Sequence, residues 1–220
     1  MPRLGRDGVE LGEEAQVDEG VWLGYSPAWE GASGPLTIGP GARIRFGTVI
    51  YSGTRIGRDL DTGHGVIIRE GNVIGDNFRI WGYSSVDYGC QIGHNVKLHS
   101  NVYVCQFTIL EDEVFIGPGS VLLNDRHPGC PKSKECLRGP TIKRGAQIGG
   151  GACILPGITI GEYALVGAGS LVTRDLPAGC VAYGNPARVR GFVDDLVCPQ
   201  DLLDRPYGHR QSQGRLPPHR

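Results

Sequence analysis

From Ile38 an aliphatic side chain recurs at every sixth position: Ile38, Ile44, Ile50, Ile56, then, past Thr62, Ile68, Ile74, Ile80, Val86, Ile92, Leu98, Val104, Leu110, Ile116 and Leu122. The count stops in LLNDRHPGCPKSKECLRGP and resumes with Ile142, Ile148, Ile154, Ile160, Val166 and Val172. An amphipathic helix needs a period near 3.6 and a half-buried strand a period of 2, so a strict six fits neither. A second series follows each aliphatic by four residues: Ala42, Thr48, Thr54, Val66, Ser84, Cys90, Val96, Val102, Thr108, Ala146, Ala152 and Ala164. Each hexad therefore turns one large and one small side chain inward. The pattern predicts short strands with a bend after each, coiled so that successive turns bury a shared core.

Gly39, Gly57, Gly75 and Gly93 fall 18 residues apart, and glycine suits a bend where backbone segments approach closely. Eighteen residues make three hexads per coil, hence a triangular prism. The hexads before and after the interruption add up to about seven coils of an all-β, parallel β-helix. Residues 1–37 read as an irregular N-terminal coil, with Leu11, Val17 and Leu23 in step, followed by the loop YSPAWEGASGP. Residues 38–173 form the repeat, with an ejected loop at 123–141. Residues 174–220 read as a cap and tail. GNPARVRG marks the exit from the prism, FVDDLVCPQDLLDRP a short covering helix, and GHRQSQGRLPPHR a polar, disordered end.

Composition narrows the function classes. The 22 Lys+Arg against 23 Asp+Glu give a formal net charge of -1, which offers neither a nucleic-acid footprint nor a polybasic membrane anchor. No apolar run reaches transmembrane length, and MPRLGRDGVE lacks the apolar segment of a signal peptide. Seven cysteines without CxxC spacing fit a reducing compartment. The expected location is therefore cytoplasmic. Cys130 and Cys136 in the loop are read as ordinary cysteines rather than metal ligands.

The hexads, the loop, and the segment IGGGACILPGITIGEYALVGAGSLVTRDLPAGCVAYGNPARVRG together resemble the left-handed β-helix, hexapeptide-repeat acyltransferases. Within that family SNVYVCQFTILEDEVFIGPGSVLLNDRHP is most similar to the sugar-nucleotide N-acetyltransferases. The resemblance implies left-handed coiling, a homotrimer and acetyl-CoA as co-substrate, with no metal. The implied reaction moves an acetyl group to the amino group of a nucleotide-linked amino sugar, in a cleft between subunits. O-acetyl transfer on the same fold stays open, as does a non-catalytic scaffold. The γ-class carbonic anhydrases share the prism and bind zinc through histidines. His94 and His99 have the H-x4-H spacing of two of those ligands, but no third histidine lies one coil away.

Counting back in eighteens from the root of the loop gives two adjacent columns. Asn124 stands above Gln106, Tyr88 and Glu70, and Leu123 above Cys105, Asp87 and Arg69. The polar members of both columns are candidate substrate ligands. By the resemblance an ejected loop completes the site. His127 is the candidate general base, since imidazole titrates in the range required, with Asp125 to orient it and Asn124 beside it. For acetyl-CoA the resemblance points to the Gly150 amide as oxyanion donor and to the small-residue run around Ala168 for the pantetheine arm. Lys143, Arg144, Arg174 and Arg188 are the candidate partners of its phosphates.

Overall fold

The computed structural model describes residues 2–5, 8–28 and 34–207. Among the described residues the strands gather into three sheets of nine, eight and ten strands, the faces of a triangular prism. The first face runs from Arg3–Leu4 to Leu171–Val172, the second from Val9–Leu11 to Thr159–Ile160, and the third from Gln16–Val17 to Ala187–Phe192. Nearly every strand pairs in parallel with the strand one coil away. Ile67 lies opposite Val49 and Ser85, for example, and Ile68 opposite Ile50 and Val86.

The large aliphatic of each hexad points inward. Ile44, Ile50, Ile68, Ile80, Val86, Leu98, Ile116, Ile148 and Ile160 are fully buried, and so are the small partners Ala42, Thr48, Val66, Val96, Ala146 and Ala164. The chain has two-residue strands because it must turn through a corner every six residues, and stacking supplies the ladder that so short a strand cannot supply alone.

The irregular N-terminal coil, with Leu11, Val17 and Leu23 in step with Ile38, Ile44 and Ile50, is part of the prism. Arg3–Leu4 pairs with Trp22–Tyr25, Val9–Leu11 with Leu36–Ile38, and Gln16–Val17 with Arg43–Ile44, all in parallel. The N-terminal segment thus adds its own strands to all three faces, beyond the seven coils counted from Ile38.

The C-terminal cap differs from the expected helix. Cys180–Gly184 and Ala187–Phe192 form an antiparallel hairpin that closes the third face, and GNPA is its turn, with a cis Asn185–Pro186 bond. FVDDLVCPQDLLDRP contributes only the single 3-10 turn Val193–Asp195. Its Leu202 and Leu203 are 77% and 60% exposed, so it offers no apolar face to hold a helix on the prism. The polar tail expected beyond Tyr207 lies outside the described residues.

The interruption is a loop on the first corner, where chain leaving the first face turns onto the second. Val121 and Cys153 are neighbours one coil apart, although 32 residues separate them in sequence. The loop contains one short helical turn, Ser133–Cys136, and returns to the second face at Thr141–Ile142. The other long coil, from Trp22 to Val49, carries its extra residues at this same corner, between Tyr25 and Leu36.

Candidate active site

The first corner stacks the two columns read from the sequence into one hydrogen-bonded chain. Glu70 is fully buried. It takes a fork from Arg69, Nη2 to Oε1 at 2.7 Å and Nε to Oε2 at 3.1 Å. Arg69 Nη1 donates to Asp87 Oδ1 at 3.2 Å. The guanidinium lies 5.6 Å from the Tyr51 ring and 5.3 Å from the Tyr88 ring, held between two π-faces. Burial works against its charge, and Glu70 and Asp87 more than reverse that, so the Arg69 pKa lies above the ordinary arginine value.

Asp87 is the hub. Oδ1 also accepts the Tyr88 backbone N–H at 2.9 Å, while Oδ2 accepts the Tyr103 hydroxyl at 3.1 Å and the Gln106 side-chain amide. Burial, then the neighbouring Asp87 carboxylate, push the Tyr103 phenol up to about 12, so it remains a donor at neutral pH. A carboxylate only accepts, and this fixes the rest of the chain. Gln106 must turn its Nε2 to Asp87, which leaves Oε1 for the side-chain N–H of Asn124. The Asn124 Oδ1 is left as an acceptor without a partner among the described residues, at the root of the loop.

Arg69, Glu70, Asp87, Tyr88, Gln106 and Asn124 are therefore brought together as the eighteen-residue count expects. Tyr51 and Tyr103 were missed. Tyr51 was one further step of eighteen down the column from Arg69, while Tyr103 reaches Asp87 from a strand's outer face, which counting corners does not sample. Cys105, in the same column, is buried inward, and burial raises its thiol to about 11.

The loop residues are placed differently. Asp125 Oδ1 accepts the backbone N–H of His127 at 2.9 Å, so it shapes the loop rather than orienting the imidazole. The exposed His127 ring makes no hydrogen bond within the described residues.

The residues assigned to acetyl-CoA do not converge within one prism. Lys143 and Arg144 stand at the second corner. Arg144 Nη2 pairs with Glu113 at 2.8 Å, and its backbone N–H donates to Glu111 at 3.0 Å. Arg174 is at the top of the first corner, and Arg188 lies in the hairpin, its Nη1 donating to the Ala187 carbonyl at 3.0 Å. Gly150 and Ala168 stack one coil apart at the third corner. A Cβ on Gly149 would sit 2.5 Å from the Ala168 nitrogen, so the coils touch through glycine there. The N–H groups of Gly150 and Ala168 donate to nothing among the described residues.

His94 and His99 occupy different corners. His94 Nδ1 accepts the Asp76 amide at 3.0 Å and His99 Nδ1 the Ser100 amide at 2.8 Å. Each caps a bend of its own coil stack, and the pair does not converge on one point of the prism.

A family profile described as bacterial transferase hexapeptide, six repeats, matches residues 89–124 and 139–174, on either side of the loop. A dTDP-3-amino-3,6-dideoxy-alpha-D-galactopyranose 3-N-acetyltransferase of Aneurinibacillus thermoaerophilus is 51% identical over 63 residues, which is 29% of this chain and 33% of that protein. A galactoside O-acetyltransferase of Lactococcus lactis is 31% identical over 115 residues, 47% of this chain and 56% of that protein. The chain thus spans between a third and somewhat over half the length of these relatives. LpxA of Bacteroides fragilis, a UDP-N-acetylglucosamine acyltransferase, superposes with a TM-score of 0.69 at 17% identity, covering 87% of this chain and 72% of its own. At that identity the likeness speaks for the fold, a left-handed parallel β-helix. By its repeat and its coil, the chain is similar to the hexapeptide-repeat acyltransferases over the two matched segments.

Proposed function

We propose that the protein is an acetyl-CoA-dependent N-acetyltransferase whose acceptor is an amino sugar carried on a nucleotide. The observation that carries this reading is the Asn124 Oδ1. It is an acceptor fixed in orientation by a relay anchored on Asp87, and it suits the N–H of an amine presented at the loop root. The N-acetyltransferase similarity over 63 residues supports the choice of acceptor.

In the reaction the amine lone pair attacks the thioester carbonyl, the C–N bond forms and the C–S bond breaks. The proton released by nitrogen passes to the departing thiolate of CoA. An amine is partly neutral near pH 7 and needs less help from a base than a hydroxyl does. The carbonyl oxygen gathers negative charge and needs an N–H donor, and the unpartnered Gly150 amide is suited to that. Gly150 and Asn124 lie at different corners, so one prism cannot use both. A homotrimer would set the third corner of one copy against the first corner of its neighbour. The outward stripe of Val49, Ile67, Tyr103, Val121 and Leu171 on the first face supplies apolar surface for that contact, Ile67 being 41% exposed.

Calorimetric titration with acetyl-CoA, followed by a screen of free and nucleotide-linked amino sugars, tests the reading. Asn124→Ala is expected to lower kcat/KM on the amino acceptor on the order of 10²-fold, and His127→Ala less than tenfold. The O-acetyl reading, favoured by the galactoside acetyltransferase relative, requires the reverse. Under it, sugar hydroxyls would be acetylated and His127→Ala would cost 10²-fold or more. Absence of acetyl-CoA binding would end both.

A further inference from the structure

Directly above Asn124 on the first corner, the loop opens a cleft of about 340 Å³, lined by Arg126, His127, Cys136, Arg138, Pro156 and Gly157. Arg126 lies where the chain enters the loop and Arg138 where it leaves. The Arg126 side chain and the Arg138 backbone are held by the prism. Arg126 Nη2 donates to the Pro156 carbonyl at 3.0 Å. The Arg138 backbone N–H donates to the Asn124 carbonyl, and its own carbonyl accepts the Gly157 N–H, each at 2.9 Å.

Gly157 has φ +70°, and a Cβ there would be 3.5 Å from Arg138 Cδ and 4.0 Å from Arg126 Nη2, so both arginines lie over this glycine. No carboxylate lines the cleft. The Arg138 guanidinium has no partner among the described residues. Two guanidinium groups and an imidazole around one small opening, with no carboxylate in its lining and the nearby Asp125 engaged by the His127 backbone N–H, call for a multidentate oxyanion.

We propose that this cleft is a phosphoryl-binding site, taking a diphosphate through the forks of Arg126 and Arg138. The proposal rests on the acyltransferase reading only for its source. A nucleotide-linked acceptor carries a diphosphate, and so does CoA. The spacing of one coil, about 4.8 Å, places the group next to the Asn124 acceptor.

Cys136, at the rim, provides the readout. In the full-length protein, alkylation of Cys136 is followed by peptide mass spectrometry, with the exposed Cys130, outside the lining, as internal control. Inorganic pyrophosphate at ten times its Kd is expected to slow labelling of Cys136 about tenfold and leave Cys130 unchanged. The double variant R126A/R138A is expected to lose the protection while its thermal melt stays that of the parent.

Nucleoside diphosphates, CoA and pantetheine then identify the source. Protection by nucleoside diphosphates assigns the site to the acceptor. Protection by CoA but not by pantetheine assigns it to the donor. Equal protection in parent and double variant, or none by any phosphoryl compound, overturns the site. Protection by pyrophosphate in a protein that transfers no acetyl group leaves the site standing and ends the acyltransferase reading instead.

Discussion

Arg69 makes contacts in two directions, toward the fully buried Glu70 carboxylate and toward that of Asp87, which is 8% exposed. Glu70 has no exposed area, and its two oxygens are held by the Arg69 fork. Removing one partner of a buried pair leaves an uncompensated charge and is much more damaging than replacing both. Arg69→Ala is expected to destabilise the protein by about 3 kcal/mol or more, read as a shift in the urea midpoint at unchanged slope. A loss under about 1 kcal/mol would mean that Glu70 and Arg69 do not act as a unit. The relay was legible in the sequence because its members share one corner, and a count of eighteen finds corners. The direction of the amides was not legible, since it follows from what each side chain donates to, not from spacing. Arg126 and Arg138 escaped for a different reason: a loop has no period, so nothing in the spacing brings its entry and exit together over Gly157.

At the level of the corner, two kinds of residue do different work. Gly39, Gly57 and Gly75 stack without unusual backbone angles, and their small size is what matters. A Cβ on Gly75 would stand 2.8 Å from the Gly93 carbonyl carbon, with backbone rather than a flexible side chain in the way. Gly75→Ala is expected to cost about 1–3 kcal/mol through overpacking, measured by thermal unfolding, and a neutral result would mean the coils can separate locally. The left-handed position two residues further along is where Asp59, Asn77, Asn95 and Asn101 sit, with φ between 56° and 59°, as short polar side chains tolerate. Tyr83, Phe107 and Tyr163 share that position, with φ between 55° and 61°. Each lies across a glycine one coil earlier, Gly65, Gly89 and Gly145, whose missing Cβ gives the ring its bed. The cap was misread because Asp-, Leu- and Pro-rich sequence after a repeat suggests a helix, whereas the turn chemistry of GNPA and the alternation around Val189 make a hairpin.

Over the whole molecule, stacking makes each coil depend on its neighbours, so the two ends need closure that the middle does not. The hairpin strand Ala187–Phe192 supplies it for the third face, covering the outer edge of Cys180–Gly184. Ending the chain after Gly184 is expected to leave that edge free and to produce concentration-dependent association by light scattering. A truncated protein with the parent's mass and melting temperature would mean that the edge needs no cover. The architecture itself was legible nearly in full, because a six-residue period has few physical solutions. The first coil was legible in outline, since Leu11, Val17 and Leu23 keep the six-residue step and lie opposite Ile38, Ile44 and Ile50, but the long connection after Tyr25 breaks the count before the main register. Two long connections join the first face to the second, one between Tyr25 and Leu36 and one between Leu122 and Thr141, with the Tyr51, Arg69, Asp87 and Gln106 column between their ends. Their separation can therefore change only in steps of one coil, about 4.8 Å. The corner is in effect a ruler graduated in eighteen-residue marks, and a whole coil gained or lost between the two loops would resize what fits there while leaving every hydrogen bond above and below it as it was.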